Sequence, residues 1–95
     1  MTTKERATLR SFANTIQATY YIGKDGITDT VLSGIREVLH ARELIKVGVQ
    51  ENAPVTAREA CEEVAEALGA EPVQVIGKKF VIYKRNKKVD QYGIK

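Results

Sequence analysis

Ala18-Thr19-Tyr20-Tyr21-Ile22-Gly23-Lys24-Asp25-Gly26-Ile27-Thr28 is the stretch that decides the fold, because it changes character twice within a few residues. Its first five residues are mostly β-branched or aromatic and read as a short strand. Gly23 ends that run, and Gly26 follows with Lys24 and Asp25 between the two glycines. A pair of glycines lets the main chain turn sharply and approach a ligand with no Cβ in the way. Thr28, or Asp29, then offers an N-cap, and Val31, Leu32, Ile35, Val38 and Leu39 recur at the spacing of one buried helix face. Backbone N–H groups, the partial positive charge of a helix N-terminus and the Lys24 ammonium can meet a phosphate at such a turn. The same pattern also serves as a plain tight connection between strand and helix, so the flanking sequence has to discriminate.

Upstream, Thr2-Thr3-Lys4-Glu5 has the form of a capping box. Leu9, Phe12, Ala13 and Ile16 follow at helical spacing, with Arg6 and Arg10 together on the outer side of that helix. Downstream, Glu43-Leu44-Ile45-Lys46-Val47-Gly48-Val49 is strand-like, and Gln50-Glu51-Asn52-Ala53-Pro54 is a polar loop. A second capping box, Thr56-Ala57-Arg58-Glu59, opens a third helix that Gly69 closes. Pro72 to Ile76 and Lys79 to Lys84 flank Gly77-Lys78, a glycine-first two-residue hairpin connection. The order is therefore α-β-α-β-α-β-β. Strands separated by helices pair in parallel and the final hairpin is antiparallel, so we expect a two-layer α/β fold on a mixed four-stranded sheet. The nearly continuous apolar runs imply that part of the sheet is covered on both faces. Residues 1–85 form one domain in this reading, and residues 86–95 a mobile basic tail.

With 95 residues the chain builds a single core and no deep cleft between domains. Its net charge is +3, unevenly spread: Lys78 to Lys95 sums to +6, leaving −3 for the remainder, much of it on Glu59, Glu62, Glu63, Glu66 and Glu71. A basic end and an acidic helix suit a polyanion met by one face. No apolar run is long enough to span a bilayer, and the N-terminus lacks the apolar stretch of a signal peptide, so a cytoplasmic location is expected. Cys61 falls on the apolar stripe Ala57-Ala60-Cys61-Val64-Ala65-Leu68 as a small core residue, and His40 has no serine or cysteine nucleophile at a recognisable spacing. The clustered carboxylates lie on the outer face of the third helix, and the glycines fit neither a P-loop nor a dinucleotide fingerprint. These readings predict no catalytic residue, no metal, no cofactor and no enzyme activity.

Nucleic-acid binding accounts for more of the chain. Lys24, Arg6, Arg10, Lys46, Lys78, Lys79, Lys84 and Arg85 can converge on one side of so small a fold, where each phosphate neutralised releases counterions. The aromatic residues are few. Core packing takes Phe80 and at least one of Tyr20, Tyr21 and Tyr83, so a platform stacking several bases is not expected. A clamp on the nucleic-acid backbone at Gly23, Lys24, Asp25, Gly26 and Thr28 is the better fit, with Asp25 opposing phosphate if it points inward.

Leu9-Arg10-Ser11-Phe12-Ala13, Tyr21 to Thr28, Glu43-Leu44-Ile45-Lys46-Val47, and Val73 to Lys78 with Phe80 to Lys84 together resemble the CRM domain, the chloroplast RNA splicing and ribosome maturation domain found in bacteria as the YhbY family. The resemblance spans Met1 to Arg85. It implies a fold similar to the C-terminal domain of bacterial translation initiation factor three, a Gly-x-x-Gly loop like that of KH domains, RNA binding, and association with precursors of the large ribosomal subunit. Carried over residue by residue, the loop is Gly23, Lys24 and Gly26. The expected partners are ribosomal RNA and, beside it, ribosomal or assembly proteins, with no membrane and a monomeric protein. Two other readings remain open from the residues: a protein-docking module acting through the acidic third helix, and an Alba-like DNA-binding protein.

Overall fold

The computed structural model describes residues 2–86. Three helices and four strands alternate as α1 (Thr3–Ala13), β1 (Ala18–Ile22), α2 (Asp29–Arg42), β2 (Leu44–Val49), α3 (Ala57–Leu68), β3 (Glu71–Ile76) and β4 (Lys79–Tyr83). The strands lie in the order β1-β2-β4-β3. β1 and β2 are parallel, with Tyr21 beside Gly48 and Ile22 beside Val49. β4 runs antiparallel to both neighbours, placing Leu44 beside Tyr83, Gly48 beside Lys79 and Ile76 beside Lys79. This is the mixed α/β sheet that the pattern of the chain implies. The register of β3 against β4 shifts between Pro72 and Gln74, on an edge strand, where a residue without an N–H is tolerated.

Side chains alternate across β2, and the alternation assigns the helices to faces. Ile45, Val47 and Val49 point to one face, where Ile35 and Leu39 of α2 and Val64 and Leu68 of α3 bury them together with Phe80 and Ile82. Leu44 has the opposite parity and joins Val73, Val81 and Tyr83 beneath Leu9 and Ala13 of α1. The two-layer expectation thus gains a third layer wherever α1 lies. The reason is energetic: leaving Leu44, Val81 and Tyr83 in water would forgo roughly 1.5–3 kcal/mol for each large apolar side chain. Phe12 departs from the expected stripe of α1 and is 42% exposed. Beyond α1 no other described element covers the same face, and it is there that Tyr21, Gly48, Lys79 and Ile76 form one row across the four strands.

Local chemistry sets the element ends. Thr2 and Thr56 each accept from the N–H of a glutamate three residues on, at 3.1 Å in both cases, while Glu5 and Glu59 accept the N–H of Thr2 and Thr56 at 2.8 and 2.9 Å. Those backbone N–H donors are the main reason both carboxyls are held below their ordinary 4.5. Gly69 closes α3 in the left-handed region at φ 66°. In the hairpin, positive φ falls on Gly77 and not on Lys78, as a glycine-first turn requires. Among the described residues no helix is long and apolar enough to cross a membrane. Of the tail expected over 86–95, Asn86 is held by hydrogen bonds, and residues 87–95 lie outside the described residues.

Candidate nucleic-acid interface

The glycine turn is held from below and open above. Gly23 O accepts from Gly26 N at 3.0 Å, closing the turn, and Gly26 sits at φ 70°, where a side chain costs about 1–2 kcal/mol. A Cβ on Gly26 would meet Pro54 Cγ at 3.0 Å, and one on Gly23 would meet Gln50 Oε1 at 2.9 Å. Both glycines therefore serve a close approach of the turn to the connection between β2 and α3, which Gln50 N anchors by donating to Ile22 O at 2.9 Å. On the outer side Lys24 and Asp25 are exposed. Thr28 has a structural duty: its Oγ1 accepts from Val31 N at 3.1 Å and its carbonyl from Leu32 N at 2.9 Å, capping α2. The amides of Lys24, Asp25, Asp29 and Thr30 have no hydrogen-bond partner among the described residues. They are donors next to a helix N-terminus, the arrangement an anionic oxygen seeks.

The fold reinforces that polarity. α2 follows the end of β1 and α3 follows the end of β2, so both start at the glycine end of the sheet. α1, α2 and α3 all finish before the start of a strand or beside the Glu71–Tyr83 end, so their carbonyl ends gather at the opposite pole. The summed helix dipoles favour negative charge at the glycine end and positive charge at the other.

The basic residues divide accordingly. Lys78 and Lys79 lie at the glycine end, with Val49 N donating to Lys78 O at 2.7 Å and Lys79 paired with Gly48. The Lys78 ammonium makes an exposed ion pair with Glu51. Lys46 is half-buried on the uncovered face, one pleat further in. Arg6 is half-buried, and Arg10, though exposed, reaches the sheet edge, where its Nε donates to Val73 O at 3.3 Å. Lys84 and Arg85 follow β4 at the far end of the sheet, and Lys84 Nζ donates to Leu68 O at 2.9 Å, closing the carbonyl end of α3. Gly23, Lys24, Asp25, Gly26, Thr28, Lys78, Lys79 and Lys46 are thus brought together, and Lys84 and Arg85 are not.

The first 84 residues match the family model of the CRS1 / YhbY (CRM) domain. The chain belongs to the CRM domain family. It is 35% identical over 91 residues to a Bacillus subtilis protein named "Probable RNA-binding protein YqeI", covering 96% of this chain and 95% of that one. A Haemophilus influenzae protein named "RNA-binding protein" is 30% identical over 84 residues, covering 88% of this chain and 85% of its own length. A solution structure of a Staphylococcus aureus protein, described as a candidate RNA-binding protein, superimposes with a TM-score of 0.78 at 41% identity, covering 90% of each chain.

Elsewhere in this CRM domain the reactive groups are quiet. Cys61 is buried, and desolvation followed by the nearby Glu62 charge pushes its thiol up to about 11. Among the described residues no three of His, Cys, Asp and Glu come together as a metal site. One feature of the interface escapes a reading of composition and motifs. Tyr20 and Tyr21 are adjacent, yet Tyr20 packs against the α2 side of the core while Tyr21 is 54% exposed on the open face. The signal was Gly48, a glycine inside an apolar strand, which marks a close approach by a neighbour.

Proposed function

We propose that this CRM domain binds RNA by gripping its sugar–phosphate backbone at the Gly23–Gly26 turn, without catalysing a reaction, and that it acts as a cytoplasmic monomer in assembly of the large ribosomal subunit. The observation that carries the reading is the turn itself: its exposed Lys24 and partnerless amides sit at the N-terminus of α2, beside the lysines of the β3–β4 hairpin. Each element favours a phosphate, and a backbone grip of this kind does not require a particular base. The names of the bacterial relatives support RNA as the ligand, and the resemblance to the ribosome-maturation family supports large-subunit precursors as its setting. The exposed Glu62, Glu63 and Glu66 on α3 keep that face away from a polyanion and so orient the domain on its target.

The test is affinity for ribosomal RNA fragments and for duplex DNA of equal length, measured across a salt series. Wild-type protein prefers RNA. Lys24→Glu, which repels a phosphate without touching the core, lowers RNA affinity roughly tenfold and flattens the salt dependence by about one phosphate or more. Unchanged RNA affinity in Lys24→Glu, or a preference for duplex DNA, would overturn the reading. Ribosome profiles of cells lacking the protein then report on assembly, as accumulation of incomplete large subunits.

A further inference from the structure

The half of the sheet face that no described helix covers carries an arrangement that a backbone clamp does not use. Tyr21, Gly48, Lys79 and Ile76 follow one another across β1, β2, β4 and β3. A Cβ on Gly48 would lie 2.5 Å from Cε1 and 2.6 Å from Cδ1 of Tyr21, so the ring leans over the central strand into space that only glycine leaves free. The ring is supported from beneath and still 54% exposed, and Ile76 at the far side of the row is 58% exposed. Lys79 stands between them, and Lys46, with Gln74, lines the shallow hollow beside Ile76. A large aromatic held half-exposed on a rigid strand, with cations on its flank, offers a fixed π-face beside charges that attract phosphate.

We propose that Tyr21 is a stacking platform for one unpaired nucleobase of a single-stranded RNA segment whose backbone is held at the glycine turn; this rests on the RNA-binding reading above. Charge and continuity select this occupant. An apolar protein surface would have to desolvate Lys46 and Lys79, whereas an RNA strand brings phosphates to them. Tyr21 also lies only three residues before Lys24, within about 10 Å along the chain, so a base can reach the ring while a neighbouring phosphate sits at the turn. One ring accommodates one base, consistent with Tyr20, Phe80 and Tyr83 being taken by the core.

The experiment uses two fluorescent probes of about ten nucleotides, oligoadenylate and an abasic ribose–phosphate chain of the same length, titrated by anisotropy. Wild-type protein binds oligoadenylate more tightly. Tyr21→Ala loses roughly tenfold for oligoadenylate, an effect typical of one stacked base, and nothing for the abasic chain. Tyr21→Phe retains the preference. Tyr21→Leu, which keeps an apolar cover over Gly48 but has no π-face, behaves as Tyr21→Ala and guards against a folding defect. Gly48→Ala, which displaces the ring without removing it, also reduces the preference. If Tyr21→Ala and Tyr21→Leu bind both probes as wild type while Lys24→Glu weakens both, the platform is refuted and the clamp stands. If wild type binds neither probe nor ribosomal RNA, both ideas fall.

Discussion

At the end of the sheet where β1 stops, the side chains of Lys24 and Lys79 are exposed and make no hydrogen bond or ion pair among the described residues. At the other end Lys84 donates to the carbonyl of Leu68, and Glu43 is fully buried with Oε2 accepting the N–H of Asn86 at 2.8 Å. The Glu43 backbone works as hard as its side chain. It occupies the left-handed region at φ 64°, its N–H donates to Leu39 O at 2.8 Å, and its carbonyl accepts from Lys84 N at 2.9 Å. Asn86 Nδ2 adds a bond to His40 O at 2.7 Å. The difference follows from the β-α-β connectivity, which collects helix C-termini at one pole and N-termini at the other. Here the carbonyl ends of α2 and α3 are closed by donors of the chain itself, Asn86 on His40 O and Lys84 on Leu68 O, whereas amides at the start of α2 have no partner among the described residues. Lys84 and Glu43 at the carbonyl pole therefore hold the fold together, and Lys24 and Lys79 at the amide pole remain available.

Substitutions can break this contrast. The largest effect is expected from Glu43→Ala, which removes the acceptor for Asn86 N and leaves a left-handed residue without compensation. Denaturant unfolding should show a loss of about 2 kcal/mol, with RNA affinity of the folded fraction unchanged. Glu43→Gly should lose less than Glu43→Ala, because glycine relieves the backbone. Next, Lys84→Met should cost about 1 kcal/mol of stability and leave the salt dependence of RNA binding alone. Its counterpart Lys79→Met should do the reverse, flattening the salt slope by about one without shifting the unfolding midpoint. The smallest effect belongs to Glu51→Gln. Lys78 holds the Glu51 carboxyl below its ordinary 4.5, first through their hydrogen bond. The pair therefore persists at neutral pH and is lost as pH falls through that lowered value. Freeing Lys78 by Glu51→Gln should slightly raise RNA affinity at pH 7, and the difference from wild type should vanish in acid.

Most element boundaries were legible because they depend on local chemistry. Thr28, Thr56 and Gly69 cap the helices that their neighbours predict, and the hairpin turns at Gly77. The glycine turn was legible for the same reason. What a linear reading could not allocate was the use of the basic residues. Lys79 and Lys84 bracket one five-residue strand, and which of them faces a ligand depends on how β4 is inserted between β2 and β3. Helical spacing gives the angle of Arg6 and Arg10 on α1 but not where β3 lies beside it, so the bond from Arg10 to Val73 is beyond a linear reading. Tyr20 and Tyr21 must face opposite sides by strand alternation, yet which side stays open is decided by where α1 settles. Glu43 had no signal at all, since nothing in its neighbours marks a left-handed helix end.

The placement of α1 has a consequence in time. Its buried Leu9 and Ala13 rest on Leu44, Val73, Val81 and Tyr83, side chains contributed by β2, β3 and β4. β1 and β2 can pair across the α2 crossover, but the ladder between β2 and β4 waits for the hairpin at the far end of the sequence, with the loop-closure cost that such separation carries. α1, made before the other two helices, thus has no complete surface to dock on until β4 has been made, and it should be the last of the described elements to gain protection from amide exchange.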